Sequence, residues 1–233
     1  MPNQTSPALR IALVGMSGTG KTFWAKRLAA SGRQSISCDD RIEQRLRSHL
    51  AADGYTGTSG VAAWMGWPDS STYAQRESDY LAAEIAALDE LLTELERDPG
   101  RELVLDTTGS VIYTGNNVLM RLRRQMTIVY LAASAKEQQL LIERYLNDPK
   151  PVLWRGAFQP KNGETPRETV ARCYPTLVSA RRQSYEALAH CTLPAADLHA
   201  LATKSGDAGG DADAFLGRIR SQIEKKSGRA NGL

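Results

Sequence analysis

The stretch Gly15-Met16-Ser17-Gly18-Thr19-Gly20-Lys21-Thr22 constrains this chain most: it fits G-x-x-x-x-G-K-[ST] and lies between a strand-like run and a helix-like run. Before it, Arg10-Ile11-Ala12-Leu13-Val14 is largely apolar and β-branched; after it, Phe23 to Ala30 holds good helix formers, with Trp24 and Leu28 one turn apart. Such a loop joins a buried strand to a helix N-terminus. Its glycines let backbone N–H groups wrap a phosphate chain while the helix dipole faces the negative charge. Gly15, Gly18, Thr19, Gly20, Lys21 and Thr22 are therefore candidate nucleotide-binding residues, with Lys21 reaching the terminal phosphates and the Thr22 hydroxyl a ligand for Mg²⁺.

At 233 residues the expectation is one α/β domain with insertions, a parallel β-sheet flanked by helices. The net charge of +3 is not gathered in one run, so no nucleic-acid partner is expected. Cys38, Cys173 and Cys191 are far apart and lack C-x-x-C spacing, which argues against a disulfide framework or a zinc site and for reduced thiols. Met1 to Ala8 is polar and read as a disordered N-terminus. No apolar run is long enough to cross a bilayer, so no membrane partner and a cytoplasmic location are expected.

Gln34-Ser35-Ile36-Ser37 reads as a second strand ending in Cys38-Asp39-Asp40, which puts a carboxylate pair at the carboxyl edge, where parallel sheets bind ligands. Asp39 or Asp40 also suits the N-cap of a helix over Arg41 to Leu50. Residues 51–72 turn small and polar with two exposed-looking tryptophans, Trp64 and Trp67, and read as a substrate-side insertion or a surface subdomain. Leu81, Ile85, Leu88, Leu92 and Leu95 then make the core stripe of a long helix whose glutamates take the other face. Glu102-Leu103-Val104-Leu105-Asp106 is a third strand, and its terminal Asp106 suits the Mg²⁺ shell of a nucleoside triphosphate.

Asn116 to Arg124 reads as helix, Thr127 to Leu131 as a fourth strand and Lys136 to Leu146 as another helix. Residues 147–167, rich in Pro and Gly and carrying Lys150, Arg155 and Lys161, read as a mobile lid. The helix from Glu168 is expected to break or restart at Pro175, and Cys191-Thr192-Leu193 to be the last strand. The domain is taken to end at residue 202. Thr203 to Asp213 reads as a flexible link, with a helix over Phe215 to Lys225 and a disordered basic tail.

In order and spacing these motifs resemble shikimate kinase, of the nucleoside-monophosphate-kinase-like group of P-loop proteins, from about Leu9 to Leu193. Asp39-Asp40-Arg41-Ile42-Glu43 is similar to the end of that family's D-x-D-x-x-I-E element. Asp39 then matches the aspartate that contacts the substrate hydroxyl, and Ser37 stands where the first aspartate should be, with Asp106 able to supply the missing carboxylate. Thr107-Thr108-Gly109 falls where the family has its G-G-G substrate loop, with Gly109 retained. Lys150-Pro151-Val152-Leu153 resembles the lid's R-P-L-L, Arg144 lies near the adenine-stacking arginine, and Arg181 matches an arginine that grips the substrate carboxylate. For F-R-x-x-E, taking Glu77 as the glutamate puts Ala74 at the arginine position, and only a shifted register recovers Arg76.

The resemblance implies a P-loop kinase fold and transfer of the ATP γ-phosphoryl group, with Mg²⁺, to a hydroxyl of a small molecule: shikimate or another hydroxylated acid or cyclitol. Lys21, Asp39 and Lys150 become the catalytic candidates, and Asp39, Gly109, Arg181 and Arg76 the substrate-binding ones. Thr22 and Asp106 hold the metal, Arg144 joins the nucleotide site, and the expected oligomeric state is a monomer or weak dimer. The competing reading is an ATP-binding regulatory or interaction protein on a kinase scaffold.

Overall fold

The computed structural model describes residues 8–147, 152–202 and 208–230. Lys150 and residues 148–151 of the expected lid, most of the N-terminus expected to be disordered, residues 203–207 of the expected link and 231–233 of the tail lie outside the described residues.

Five strands form one parallel sheet: β1 (Arg10–Val14), β2 (Gln34–Ser37), β3 (Leu103–Asp106), β4 (Thr127–Ala132) and β5 (Cys191–Pro194), in the order β2-β3-β1-β4-β5. Every residue of β1 and β3 is buried, as expected for strands covered on both faces. Alternate side chains feed two cores. Ile11 and Leu13 point to one and Ala12 and Val14 to the other.

The first core is closed by α1 (Lys21–Ala30), α8 (Ala195–Ala202) and α9 (Ala208–Ala230). Trp24 of α1 stacks on Phe215 of α9 with ring centroids 4.5 Å apart, and Arg27 pairs with the buried Asp211. Burying a ring such as Phe215 contributes roughly 1.5–3 kcal/mol. This docking explains a departure from expectation. The Gly/Ala/Asp-rich stretch from 208 is helical, not part of a flexible link, because Asp211, Ala212 and Phe215 are all fully buried against the domain.

The second core lies under α2 (Cys38–Ala52), α3 (Gly57–Met65), α4 (Tyr73–Arg97), α5 (Asn116–Gln125), α6 (Ala135–Asn147) and α7 (Pro166–Leu188). Three sequence readings change here. The N-cap of α2 is Ser37, whose hydroxyl accepts from the Asp40 N–H, so Asp39 and Asp40 lie in the first turn instead of capping it. Helix α7 runs unbroken through Pro175, which lies on its exposed face where the freed carbonyl one turn earlier meets solvent. Trp64 is buried at 3% exposure and Trp67 half-buried, so the 51–72 insertion packs onto the domain through its aromatic rings.

Among the described residues no helix is long and apolar enough to cross a membrane. All three cysteines are buried free thiols.

Candidate active site

The phosphate loop leaves the carboxyl end of β1 beside β3 and β4, the sheet edge where doubly wound folds bind ligands. Its glycines are sterically required. A Cβ on Gly15 would stand 2.8 Å from the Leu131 carbonyl oxygen, and Gly20, just before α1, has φ +91°. Lys21 folds back into its own loop. It is 7% exposed, and its Nζ donates to the Gly15 and Met16 carbonyls at 2.9 and 3.0 Å. Burial lowers its pKa, against the opposing pull of Asp106 and Asp39.

The Thr22 hydroxyl donates to Asp106 Oδ2 at 2.6 Å, so the helix start and the end of β3 meet at one point. Ser37 of β2 pairs in register with Asp106, which places this carboxylate one strand over from the position that Ser37 leaves without one. A hydroxyl and a carboxylate with a phosphate chain alongside are hard oxygen donors of the kind Mg²⁺ takes, and the donor set fits that ion. Burial is the main cause that raises the pKa of Asp106, and the Thr22 hydrogen bond works against it.

A cavity of about 660 Å³ opens on the inner side of the loop and gathers Lys21, Thr22, Asp39, Asp106, Gly109 and Arg181. Asp39 faces this space. The surrounding protein raises its pKa, Lys21 opposes, and Asp106 and Asp40 add to the rise. Arg181 is 3% exposed and donates to Leu153 O at 2.6 Å and to Gly109 O and the Tyr113 hydroxyl at 3.3 Å each. Tyr185, one turn on along α7, also donates to Gly109 O, which pins the segment after β3 to that helix. A second cavity of about 390 Å³ lies across the loop, lined by Gly18, Thr19, Gly20, Phe23, Trp24 and Arg144 with apolar residues of α6 and α8.

Arg76 does not reach either cavity. It donates to Asp53 Oδ2 at 2.8 Å and to the Trp64 carbonyl, and its guanidinium lies over the Trp64 ring 5.5 Å from the centroid. It is a clamp between α4 and the insertion, which removes it from the substrate-binding candidates. Glu77 likewise lines neither cavity: it accepts from Arg155 N at 2.9 Å, with the Tyr73 hydroxyl 3.1 Å away. Tyr73 in turn donates to Val152 O at 2.6 Å and accepts from Trp154 N. Val152, Leu153 and Trp154 are buried, so this part of the expected mobile lid is seated in the core.

The residue missed by the sequence reading is Glu84. It is fully buried, and its carboxylate accepts from the hydroxyls of Thr108 and of Ser110, the latter at 2.6 Å. In an F-R-x-x-E register this glutamate puts Leu81 at the arginine position. Its signal was present, since Glu84 lies three residues after Leu81 and four before Leu88 and so falls on the buried stripe. Burial pushes its pKa up to about 7, with the two hydroxyl bonds pulling the other way. A carboxyl raised on folding favours the protonated form, so it weakens the fold as pH rises from its unfolded value near 4.5 through about 7. Replacing Glu84 with Gln should flatten that slope, by up to about 3 kcal/mol between pH 5 and pH 8. Urea denaturation of both proteins at the two pH values reads this difference, and parallel slopes would show that Glu84 does not titrate in that range.

No protein-family model matches the chain, and no curated protein does. Solved structures do match. The chain is 25% identical to a shikimate kinase from Acinetobacter baumannii in complex with shikimate, over 94% of this chain and 95% of that one, with a TM-score of 0.56. A shikimate kinase from Bacteroides thetaiotaomicron aligns at 16% identity over 91% of this chain and 98% of that one, with a TM-score of 0.54. The chain has a shikimate kinase-like P-loop kinase fold.

Proposed function

We propose that this protein transfers the γ-phosphoryl group of ATP to a hydroxyl of a small hydroxylated molecule. One observation carries the reading. A phosphate loop, a strand-end carboxylate bonded to Thr22 and a second carboxylate, Asp39, all open on one cavity. The solved shikimate kinase with bound shikimate supports it as a likeness of fold.

In this account the loop N–H groups and Lys21 bind the phosphates, Lys21 exchanging its two carbonyl partners for phosphate oxygens. The smaller cavity takes the nucleoside against Phe23, Trp24 and Arg144. Thr22 and Asp106 would hold Mg²⁺, which when bound neutralises charge on the phosphates. Asp39 accepts the proton of the acceptor hydroxyl and orients its oxygen, while Gly109 and Arg181 shape the far wall. The half-buried insertion and the segment after residue 151 keep water from the acceptor side. Buried free thiols suit a reducing compartment, and a cytoplasmic monomer or weak dimer is our reading of the assembly.

Replacing Asp106 with Asn should raise the Mg²⁺ concentration needed for half-maximal rate more than it raises the KM for ATP, because the carboxylate serves the ion and not the phosphates. A Mg²⁺ titration at saturating ATP checks this. An unchanged Mg²⁺ requirement would remove Asp106 from the metal shell.

A further inference from the structure

Resting on that reading, we propose that the acceptor is an uncharged polyhydroxylated molecule, selected by a cavity wall whose hydroxyls Glu84 holds so that they accept hydrogen bonds and do not donate them. The wall is Thr108 and Ser110, which line the larger cavity at 4% and 5% exposure. Both hydroxyls lie within hydrogen-bond reach of the one carboxylate behind them. A carboxylate only accepts, so each hydroxyl turns its single proton toward Glu84 and keeps only lone pairs, one on Thr108 Oγ1 taken by the Ser110 N–H and one on Ser110 Oγ facing Tyr80. The Ser110 N–H, which could have served a ligand, is also occupied, bonded to Thr108 Oγ1 at 3.1 Å.

A hydroxyl of the acceptor can donate to such a wall, whereas a carboxylate would meet oxygen lone pairs with no proton between them. The charges around the cavity agree. Lys21, Thr22 and Asp106 belong to the phosphate and metal end, which leaves Asp39 and Arg181 as the charged lining residues of the acceptor end among the described residues. Their charges cancel, and three of the five Arg181 N–H groups already donate to protein oxygens. The other polar side chains of the lining are hydroxyls, from Ser17, Thr58, Ser59, Tyr80 and Tyr174. Glu84 acts as a positioning residue. It sets which way protons point and does not touch the reacting atoms.

The test uses the full chain with Mg-ATP at pH 8, above the value of about 7 to which burial raises Glu84, so that the carboxylate is ionised. Steady-state kinetics are compared for neutral polyols (myo-inositol, glucose, glycerol) and for the acids shikimate, quinate and gluconate. The best neutral acceptor should exceed the best acid in kcat/KM by at least about tenfold. In Glu84→Gln the amide donates to one hydroxyl and turns its proton into the cavity, so that preference should shrink by about tenfold or more while the KM for ATP stays within about twofold. Glu84→Asp, still only an acceptor, should keep the neutral preference. An acid as the best acceptor, or a preference unmoved in Glu84→Gln, overturns the proposal while leaving the phosphotransferase reading standing. Transfer to neither class overturns that reading, and the proposal with it.

Discussion

Lys21→Ala should lower phosphoryl transfer on the order of 10²-fold or more, the cost expected for removing a preorganised charge from a transition state. The same change should leave the fold nearly intact. Lys21 is buried, but its hydrogen-bond partners among the described residues are the Gly15 and Met16 carbonyls of its own loop. Removing the amine frees two acceptors and at the same time removes a buried cation whose lowered pKa reports its desolvation. Turnover is read by product formation and the fold by thermal unfolding. A folded Lys21→Ala protein with near-normal turnover would contradict the mechanism.

Asp39→Asn is the second large effect, expected at about 10²- to 10⁴-fold in kcat, the range for loss of a general base. The pH profile separates this role from simple positioning. Asp39 must be ionised to accept the acceptor proton, and its pKa is raised by desolvation from the protein packed around the cavity, with Asp106 and Asp40 adding to the rise, although its side chain is open to solvent. The wild-type rate should therefore fall on the acid side at a pH above that of an exposed carboxylate. Asp106 also carries a raised pKa in the metal-free protein, but Mg²⁺ held there would keep it ionised, so at saturating Mg²⁺ it adds little to this limb. In Asp39→Asn the residual rate should lose the part of that limb belonging to Asp39. A variant with wild-type kcat and an unaltered profile would exclude Asp39 from proton transfer.

What could be read from sequence was what is local. The phosphate loop is contiguous, and its glycines answer steric needs set within the loop and by the neighbouring strand. Asp106 was legible because a buried apolar strand ending in a carboxylate puts that carboxylate at the sheet edge, and β1, β3 and β4 follow the expected apolar runs. Arg76 was not, because its partners Asp53 and Trp64 lie across the insertion, and sequence register could not tell a clamp from a substrate ligand. Glu84 was hidden by its residue type. Glutamates on an amphipathic helix are read as its solvated face, and only the hydroxyls of Thr108 and Ser110 make a buried one tolerable. The helix at 208–213 escaped because its composition reads as a link, and the force that orders it is the tertiary docking of Phe215 on Trp24.

The most direct test follows the γ-phosphoryl group itself. ATP labelled in that group is incubated with the purified chain, Mg²⁺ and a mixture of small hydroxylated compounds, and the products are separated and weighed by mass spectrometry. The account predicts the label in a phosphate ester of one of those compounds, in wild type and not in Lys21→Ala. Label found only in inorganic phosphate, or left wholly in ATP by a protein that binds it, would contradict the account.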